Sequence, residues 1–372
     1  MIKRILYTLL IMFPVLASAQ INTDRVMAIG RNALYFEDYV LSIQYFNQVI
    51  NAKPYLSDPY FYRGLAKINL DDFQGAESDC SEAIERNPFV VSAYQVRGLA
   101  RIQQNNFAGA IEDYTKALEF DPENIGVWHN MALCRIRQED YKGAKNDLDK
   151  LIAISPRYTK AYLMRGEVDL KQKDTLAAEK DFGKAIEIDR YDADTWASRA
   201  ILRLQQQRYK DAEADFDHAI RLSTRNSGVY INRALARYHQ NNLRGAMSDY
   251  DIALDIDPNN FIGHYNRGLL RAQVGDDNRA IQDFNFVIEM EPDNMMAIFN
   301  RGLLLDQTGD YKGAIKDYST VINEYPNFLL GYQYRAQARR KIGDVKGADA
   351  DEFKVLKAQL DKQNGVDPNK QT

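Results

Sequence analysis

Proline recurs at residues 54, 88, 122, 156, 258, 292 and 326, always 34 residues apart or a multiple of that. Arg190 and Thr224 stand at the two lattice points that proline skips. No feature of the composition constrains the fold as strongly. A unit this short cannot enclose a core alone and must bury its apolar face against the next copy. With proline counted as position 32, ten ungapped units run from 23–56 to 329–362. Position 8 is always Gly or Ala, and position 20 is Ala in every unit but the first, where it is Ser42. Small residues at two fixed places predict two helices per unit crossing closely, because interhelical distance follows side-chain bulk at the crossing.

Between the helices lie turn signals such as Asn105-Asn106, Gly275-Asp276, Gly309-Asp310 and Gly343-Asp344. Gly or Asn suits the left-handed residue that ends the first helix, and Asp or Asn then caps the second. An aromatic follows in Phe73, Phe107, Tyr141, Tyr209 and Tyr311. The proline stops the second helix and opens the next unit.

This unit resembles the tetratricopeptide repeat family. Trp128 and Trp196 at position 4, Gly or Ala at 8, Ala at 20, Tyr or Phe at 24 (Tyr114, Phe182, Phe216, Tyr250, Phe284, Tyr318) and Pro at 32 match its pattern. The resemblance implies an all-α fold, a right-handed α-solenoid superhelix of about ten helix-turn-helix units over 23–362. The end units depart from the pattern: Val26 replaces the aromatic in the first, and Glu352 and Leu360 stand at positions 24 and 32 of the last. Terminal units of a solenoid meet water on their outer faces and are expected to be atypical.

Position 7 is Arg in eight of the ten units, with Ile29 and Met131 as exceptions. Position 23 is Asp in nine, with Tyr45 as the exception. Pairing each Arg with the Asp of its own unit leaves only Asp147 alone, whereas pairing with the preceding unit orphans Arg63, Asp113 and Asp351. Within-unit clamps are therefore expected, such as Arg233–Asp249, Arg267–Asp283 and Arg301–Asp317. A guanidinium fork can hold a carboxylate through two hydrogens. A ladder repeated eight times is structural, since a catalytic site occurs once. Lys67, Arg101, Arg135, Arg203, Arg237, Arg271 and Arg339 at position 11 lie one turn further on and are expected to join it.

The formal charge is −4, or −6 without Lys3 and Arg4. That balance argues against general nucleic-acid binding, which needs a basic surface to displace counterions. Met1-Ile2-Lys3-Arg4, the apolar run Ile5–Leu16 and Ala17-Ser18-Ala19 read as a cleavable signal peptide over 1–19. The run falls short of the roughly 20 apolar residues that span a bilayer, so no membrane span is expected after cleavage. A periplasmic location is expected, with secretion as the alternative. The polar residues 363–372 are expected to form a disordered tail. Cys80 and Cys134 lie in non-adjacent units and are expected to be buried free thiols.

No phosphate-cradling loop, paired-Cys motif, His-Glu-x-x-His or nucleophile elbow occurs. The histidines at 129, 218, 239 and 264 fall at different unit positions without metal-ligand spacing. No catalytic residue, metal or cofactor is expected. The resemblance implies a non-catalytic scaffold that binds protein or peptide segments in a concave groove; the alternative is a non-catalytic subunit or adaptor of an envelope enzyme or assembly complex. It also implies that positions 2, 5, 6, 9, 12 and 13 face the groove. The family's carboxylate clamp for chaperone C-termini needs Asn at position 9, and no unit has it. Position 6 instead gives Asn232, Asn266 and Asn300 in three successive units. Side-chain amides both donate and accept, so such a ladder can hold an extended backbone whatever its sequence. Beside it stand Tyr265 and Phe299 at position 5, Tyr238 at 12, and His239, Gln273 and Gln307 at 13. The competing reading makes these asparagines plain polar residues on a solvated face, with Leu235, Leu269 and Leu303 packing on neighbours. Phe61 and Tyr62 of the second unit are the reserve site.

Overall fold

The computed structural model describes residues 22–223 and 225–363. The leader at 1–19, Thr224 and all of the tail beyond Gln363 lie outside the described residues. Twenty α-helices and no strand occur among the described residues. The chain divides after Asp189 into two compact units. In the first, the pairs are α1 (Thr23–Tyr35) and α2 (Tyr39–Ala52), α3 (Asp58–Ile68) and α4 (Phe73–Arg86), α5 (Val91–Gln103) and α6 (Phe107–Phe120), α7 (Ile125–Arg137) and α8 (Tyr141–Ile154), α9 (Thr159–Lys171) and α10 (Thr175–Ile188). In the second they are α11 (Ala193–Gln205) and α12 (Tyr209–Leu222), α13 (Ser227–His239) and α14 (Leu243–Ile256), α15 (Phe261–Gln273) and α16 (Asp277–Met290), α17 (Met295–Thr308) and α18 (Tyr311–Glu324), α19 (Leu329–Lys341) and α20 (Val345–Gln363). Each unit is thus an all-α repeat solenoid in which every helix pair packs on the next.

Each pair is built the same way. The position-8 residue meets the position-24 side chain across the crossing: a Cβ on Gly98 would lie 2.8 Å from the Tyr114 ring, and one on Gly166 2.6 Å from Phe182. The position-20 alanines from Ala76 to Ala348 are buried. The turn between helices places position 15 in the left-handed region in all ten repeats. Three of these residues are glycine; the other seven are Glu37, Asp71, Asn105, Glu139, Lys173, Gln207 and Asn241. The expectation of Gly or Asn there was too narrow. In nine repeats the position is enforced by a backbone bond from the N–H of position 16 to the carbonyl of position 11, as in Asp174 to Asp169 at 2.9 Å and Asn242 to Arg237 at 2.9 Å; the ninth, with Gly309, runs its helix on to Thr308 instead. This closes the first helix whatever the side chain. In eight repeats the position-16 side chain then caps the second helix, accepting as Asp72 does from Gly75 N and Asn242 from Gly245 N, whereas Arg208 and Asp276 make no such cap.

The ring at position 4 anchors its repeat to the preceding one. Tyr60, Trp128, Tyr162 and Trp196 each donate from the ring tip to the carbonyl of the preceding position 32, and His264 Nε2 lies 3.0 Å from that of Pro258. These side chains combine an apolar body with a donor at the end, whereas Val26 and Ile298 fill the same position in the first and ninth repeats with an apolar body alone. Cys80 and Cys134 are buried and unbridged. Burial pushes the Cys80 thiol up to about 12 and the Cys134 thiol to about 11, so both are poor nucleophiles. The atypical Glu352 of the last repeat is half exposed and pairs with Arg340 at 2.6 Å.

Candidate functional site

All eight position-7 arginines bind the Asp of their own repeat. Arg233 reaches Asp249 through Nε at 3.0 Å and Nη2 at 2.6 Å, Arg267 reaches Asp283 at 3.2 and 2.7 Å, and Arg301 reaches Asp317 at 2.7 Å through both. The position-11 cations join the same carboxylates, for example Arg237 to Asp249 at 2.8 Å. A third bond was not foreseen. The free Nη1 turns back to position 25 of the preceding repeat: Asn47, Ser81, Asp149, Asp217, Asp251, Asn285 and Ser319 accept from Arg63, Arg97, Arg165, Arg233, Arg267, Arg301 and Arg335. One side chain therefore ties two helices of its own repeat and a third from its neighbour.

The ladder varies in strength. At Asp283 burial pulls the carboxyl upward, but hydrogen bonds from His264 and Arg267 and the charges of Arg267 and Arg271 outweigh it and hold it below the ordinary range. At Asp147 the position-7 partner is Met131. Asp147 is not left alone, as the pairing count implied: Arg135 Nη1 binds Oδ1 at 2.8 Å. Its buried Oδ2 has no partner, and burial, with Asp140 nearby, raises the carboxyl to about 7 against the opposing charge of Arg135.

The sequence-predicted groove residues all lie on first helices of the second unit, where α11 touches α13, α15 touches α17 and α17 touches α19. They are not equivalent. Asn232 and Asn266 are half-buried and make no side-chain hydrogen bond within the described residues. Asn300 is engaged: its Nδ2 donates to the Tyr265 hydroxyl at 3.1 Å. Phe299 sits in an aromatic cluster with Tyr318, Phe328 and Tyr334 at ring separations of 5.1–5.8 Å. Tyr238 is half-buried against the Tyr230–Tyr250 core, and His239 stacks on Tyr209 at 4.6 Å. Gln273 and Gln307 are exposed. Leu269 is 40% exposed, so it does not pack away as the competing reading required, whereas Leu303 is partly buried in the Tyr318 cluster. In the first unit, Phe61 and Tyr62 contact each other at 5.0 Å, and Tyr62 stacks on Phe46.

The sequence reading missed position 2. In the first seven repeats it is Asp24, Asp58, Ser92, Gly126, Lys160, Asp194 and Gly228; in the last three it is Ile262, Met296 and Leu330. These three are exposed at 51%, 66% and 48%. The switch from polar to apolar at one lattice position was visible in the sequence, and exposure shows that helix packing does not account for it. Ile262 and Met296 line an open pocket of 340 Å³ with Phe261, Tyr265 and Asn294. Among the described residues no cluster of His, Cys, Asp and Glu could hold a metal ion, and no helix is long and apolar enough to cross a membrane.

Stacked helix pairs on a fixed 34-residue lattice define the class: a helical repeat protein with an open surface along its first helices. Models of the tetratricopeptide repeat match residues 125–158, 159–192, 198–261 and 265–327, and a TPR repeat model matches 98–134, together more than half of the chain. The chain belongs to the tetratricopeptide repeat family. Among solved structures it is similar to a tetratricopeptide repeat protein from Parabacteroides merdae, at 21% identity and a TM-score of 0.52 over 67% of this chain and 98% of that one. The C-terminal part of a TPR repeat-containing protein from Cytophaga hutchinsonii gives 17% identity and 0.53, covering 64% and 97%. The Cut9–Hcn1 hetero-tetramer of the APC/C gives 13% and 0.51, covering 78% and 57%. At these identities the likeness concerns the fold. No curated protein sequence matches the chain. Proteins of this family bind protein or peptide partners and are generally non-catalytic.

Proposed function

We propose that this chain is a non-catalytic binding module that holds an extended, largely uncharged segment of a partner protein along the first helices of its second unit. The observation that carries this reading is the pair Asn232 and Asn266: two half-buried amides, one repeat apart, with hydrogen-bonding capacity unused among the described residues. The surroundings support it. Across positions 2, 5, 6, 9, 12 and 13 of these three repeats the single carboxylate or side-chain ammonium or guanidinium is Asp306, and Lys341 neutralises it at 3.1 Å. A charged ligand would find no partner there and would lose hydration. Asn300 acts through Tyr265, whose ring it steadies, and Tyr238, Phe299, His239, Gln273 and Gln307 frame the surface.

A library of ten-residue peptides screened against the full chain tests the reading. Binders should be poor in charge, and Asn232→Ala with Asn266→Ala should abolish their binding while the melting temperature stays within a few degrees. Binding that survives the double change moves the site, with Phe61 and Tyr62 next in line. The leader-like pattern of residues 1–19 supports export, with the periplasm as the location. Expression in a secreting bacterial host should yield a mature N-terminus at Gln20, and an intact Met1 end refutes export.

A further inference from the structure

The 340 Å³ pocket lies between the N-terminal ends of α15 and α17. Phe261, Ile262 and Tyr265 form one wall, and Asn294 and Met296 the other. None of them is charged. The repeat lattice shows what belongs in such a place. Position 34 of a repeat comes to lie against position 5. In the ninth repeat Phe328 and Phe299 meet in a T-shaped pair, with ring centroids 5.1 Å apart and planes at 81°. In the fourth, Tyr158 meets His129 at 5.9 Å and 89°, with its hydroxyl 3.3 Å from Nδ1. In the first two repeats the aliphatic Leu56 and Val90 share clusters with Met27 and Phe61.

Five repeats carry Asn or Asp at position 34 (Asn124, Asp192, Asn226, Asn260 and Asn294), but of the four whose position 5 is a ring (Phe61, His129, Tyr265 and Phe299) only the eighth does. Its position 5 is the aromatic Tyr265, but its position 34 is Asn294. That side chain is committed elsewhere: Oδ1 accepts from Ala297 N at 3.0 Å to cap α17, and Nδ2 donates to Glu291 at 3.0 Å. Phe328 and Tyr158 make no such cap. The chain has here kept the cap and given up the ring. The space beside Tyr265 stays open and is bordered by the exposed apolar Ile262 and Met296.

We propose that this pocket receives an aromatic side chain of the bound partner segment, which forms a T-shaped pair with Tyr265 as Phe328 does with Phe299 one repeat further on. The geometry is the edge-to-face contact that aromatic pairs favour at centroid separations of about 4.5–7 Å. The apolar walls exclude a polar or charged tip, which would leave its hydration without replacement. This inference rests on the proposed groove and names its specificity: an uncharged extended segment with one aromatic residue as anchor.

The probe is N-acetyl-phenylalanine amide, titrated into the full chain with labelled isoleucine and methionine methyls. Saturable shifts are expected at Ile262 and Met296, and none with the alanine analogue. Asn294→Phe supplies the missing ring from within and should weaken the probe at least tenfold. Met296→Glu, at a side chain that is largely exposed and therefore harmless to folding, should weaken it comparably when read at Ile262. Shifts confined to other methyls, undiminished binding to either variant, or no shift up to the solubility of the probe would overturn the assignment. The probe has no extended backbone, so its failure leaves the asparagine groove standing. Conversely, peptides that ignore the two asparagines while the probe still binds would refute the groove and spare the pocket.

Discussion

Replacing Asp147 by Asn ought to stabilise the protein above neutral pH, while the same change at Asp249 ought to harm it, although both occupy position 23. Asp249 accepts three guanidinium hydrogen bonds at 2.6–3.0 Å and is 1% exposed. Asp147 is just as buried, at 3%, but has one partner and a bare oxygen. Its carboxyl lies at about 7 in the fold against an ordinary 3.8. At about 1.36 kcal/mol per pH unit, ionising it inside the protein costs on the order of 4 kcal/mol. The sign follows from the raised value. Between about pH 4 and 7 the folded chain keeps a proton that the unfolded chain has lost, so stability from this group grows as pH falls through that window and is flat above it. The groups facing Asp147 are Arg135 and Asp140. The Asp147→Asn change would remove the charge but leave a buried amide unsatisfied, at about 1–3 kcal/mol, for a net gain of about 1–3 kcal/mol at pH 8 that shrinks towards pH 5. The Asp249→Asn change would break a buried pair, at about 3–5 kcal/mol. Repeat arrays do not unfold in one step, so native-state hydrogen exchange of α8 and α14 amides between pH 5.5 and 8.5 is the measurement. Equal losses at the two sites, or a gain at Asp147→Asn that does not vary with pH, would refute the reasoning.

Three further outcomes are expected. Arg233→Ala and Asp249→Ala should show a coupling energy of about 1–3 kcal/mol in a double-mutant cycle read by native-state hydrogen exchange of α13 and α14 amides, and additivity would disprove the clamp. Lys173→Gly should raise stability by up to about 1 kcal/mol, because Lys173 holds φ at 65° where a side chain is strained; a lower melting temperature would mean its side chain contributes more than its backbone costs. An acidic C-terminal chaperone peptide should give no heat in calorimetry, since no repeat carries Asn at position 9, and micromolar binding would falsify that expectation.

The clamp was legible in the sequence because both partners keep one identity at a constant separation of 16 residues. Its third bond was hidden for the opposite reason. Position 25 is Asn47, Ser81, Asp149 or Ser319, and these share only an oxygen that accepts a hydrogen. The left-handed turn residue was half visible: glycine announces it at 275, 309 and 343, but backbone bonding imposes it equally on Lys173 and Gln207. At the groove, the three asparagines look alike in the sequence. Only the position of the Tyr265 hydroxyl separates Asn300 from Asn232 and Asn266. Phe299 was named as a groove residue because the family resemblance puts position 5 there, yet it packs against Phe328 and Tyr334. Those contacts depend on neighbours whose own rotamers no spacing rule specifies.

The arginine that reaches three helices has a mechanical meaning. Tension along the chain is carried from one repeat to the next through such cross-links, and a row of them fails at its weakest member. Between α6 and α7 the member is absent: Met131 replaces the arginine, and where position 25 elsewhere in the first unit accepts a guanidinium hydrogen, Thr115 donates to Ile111 O of its own helix at 2.7 Å and reaches across only to the Met131 sulfur at 4.0 Å. In the first unit, a pulling experiment should therefore see the rupture begin at this junction, and Met131→Arg should move the first yield to a higher force.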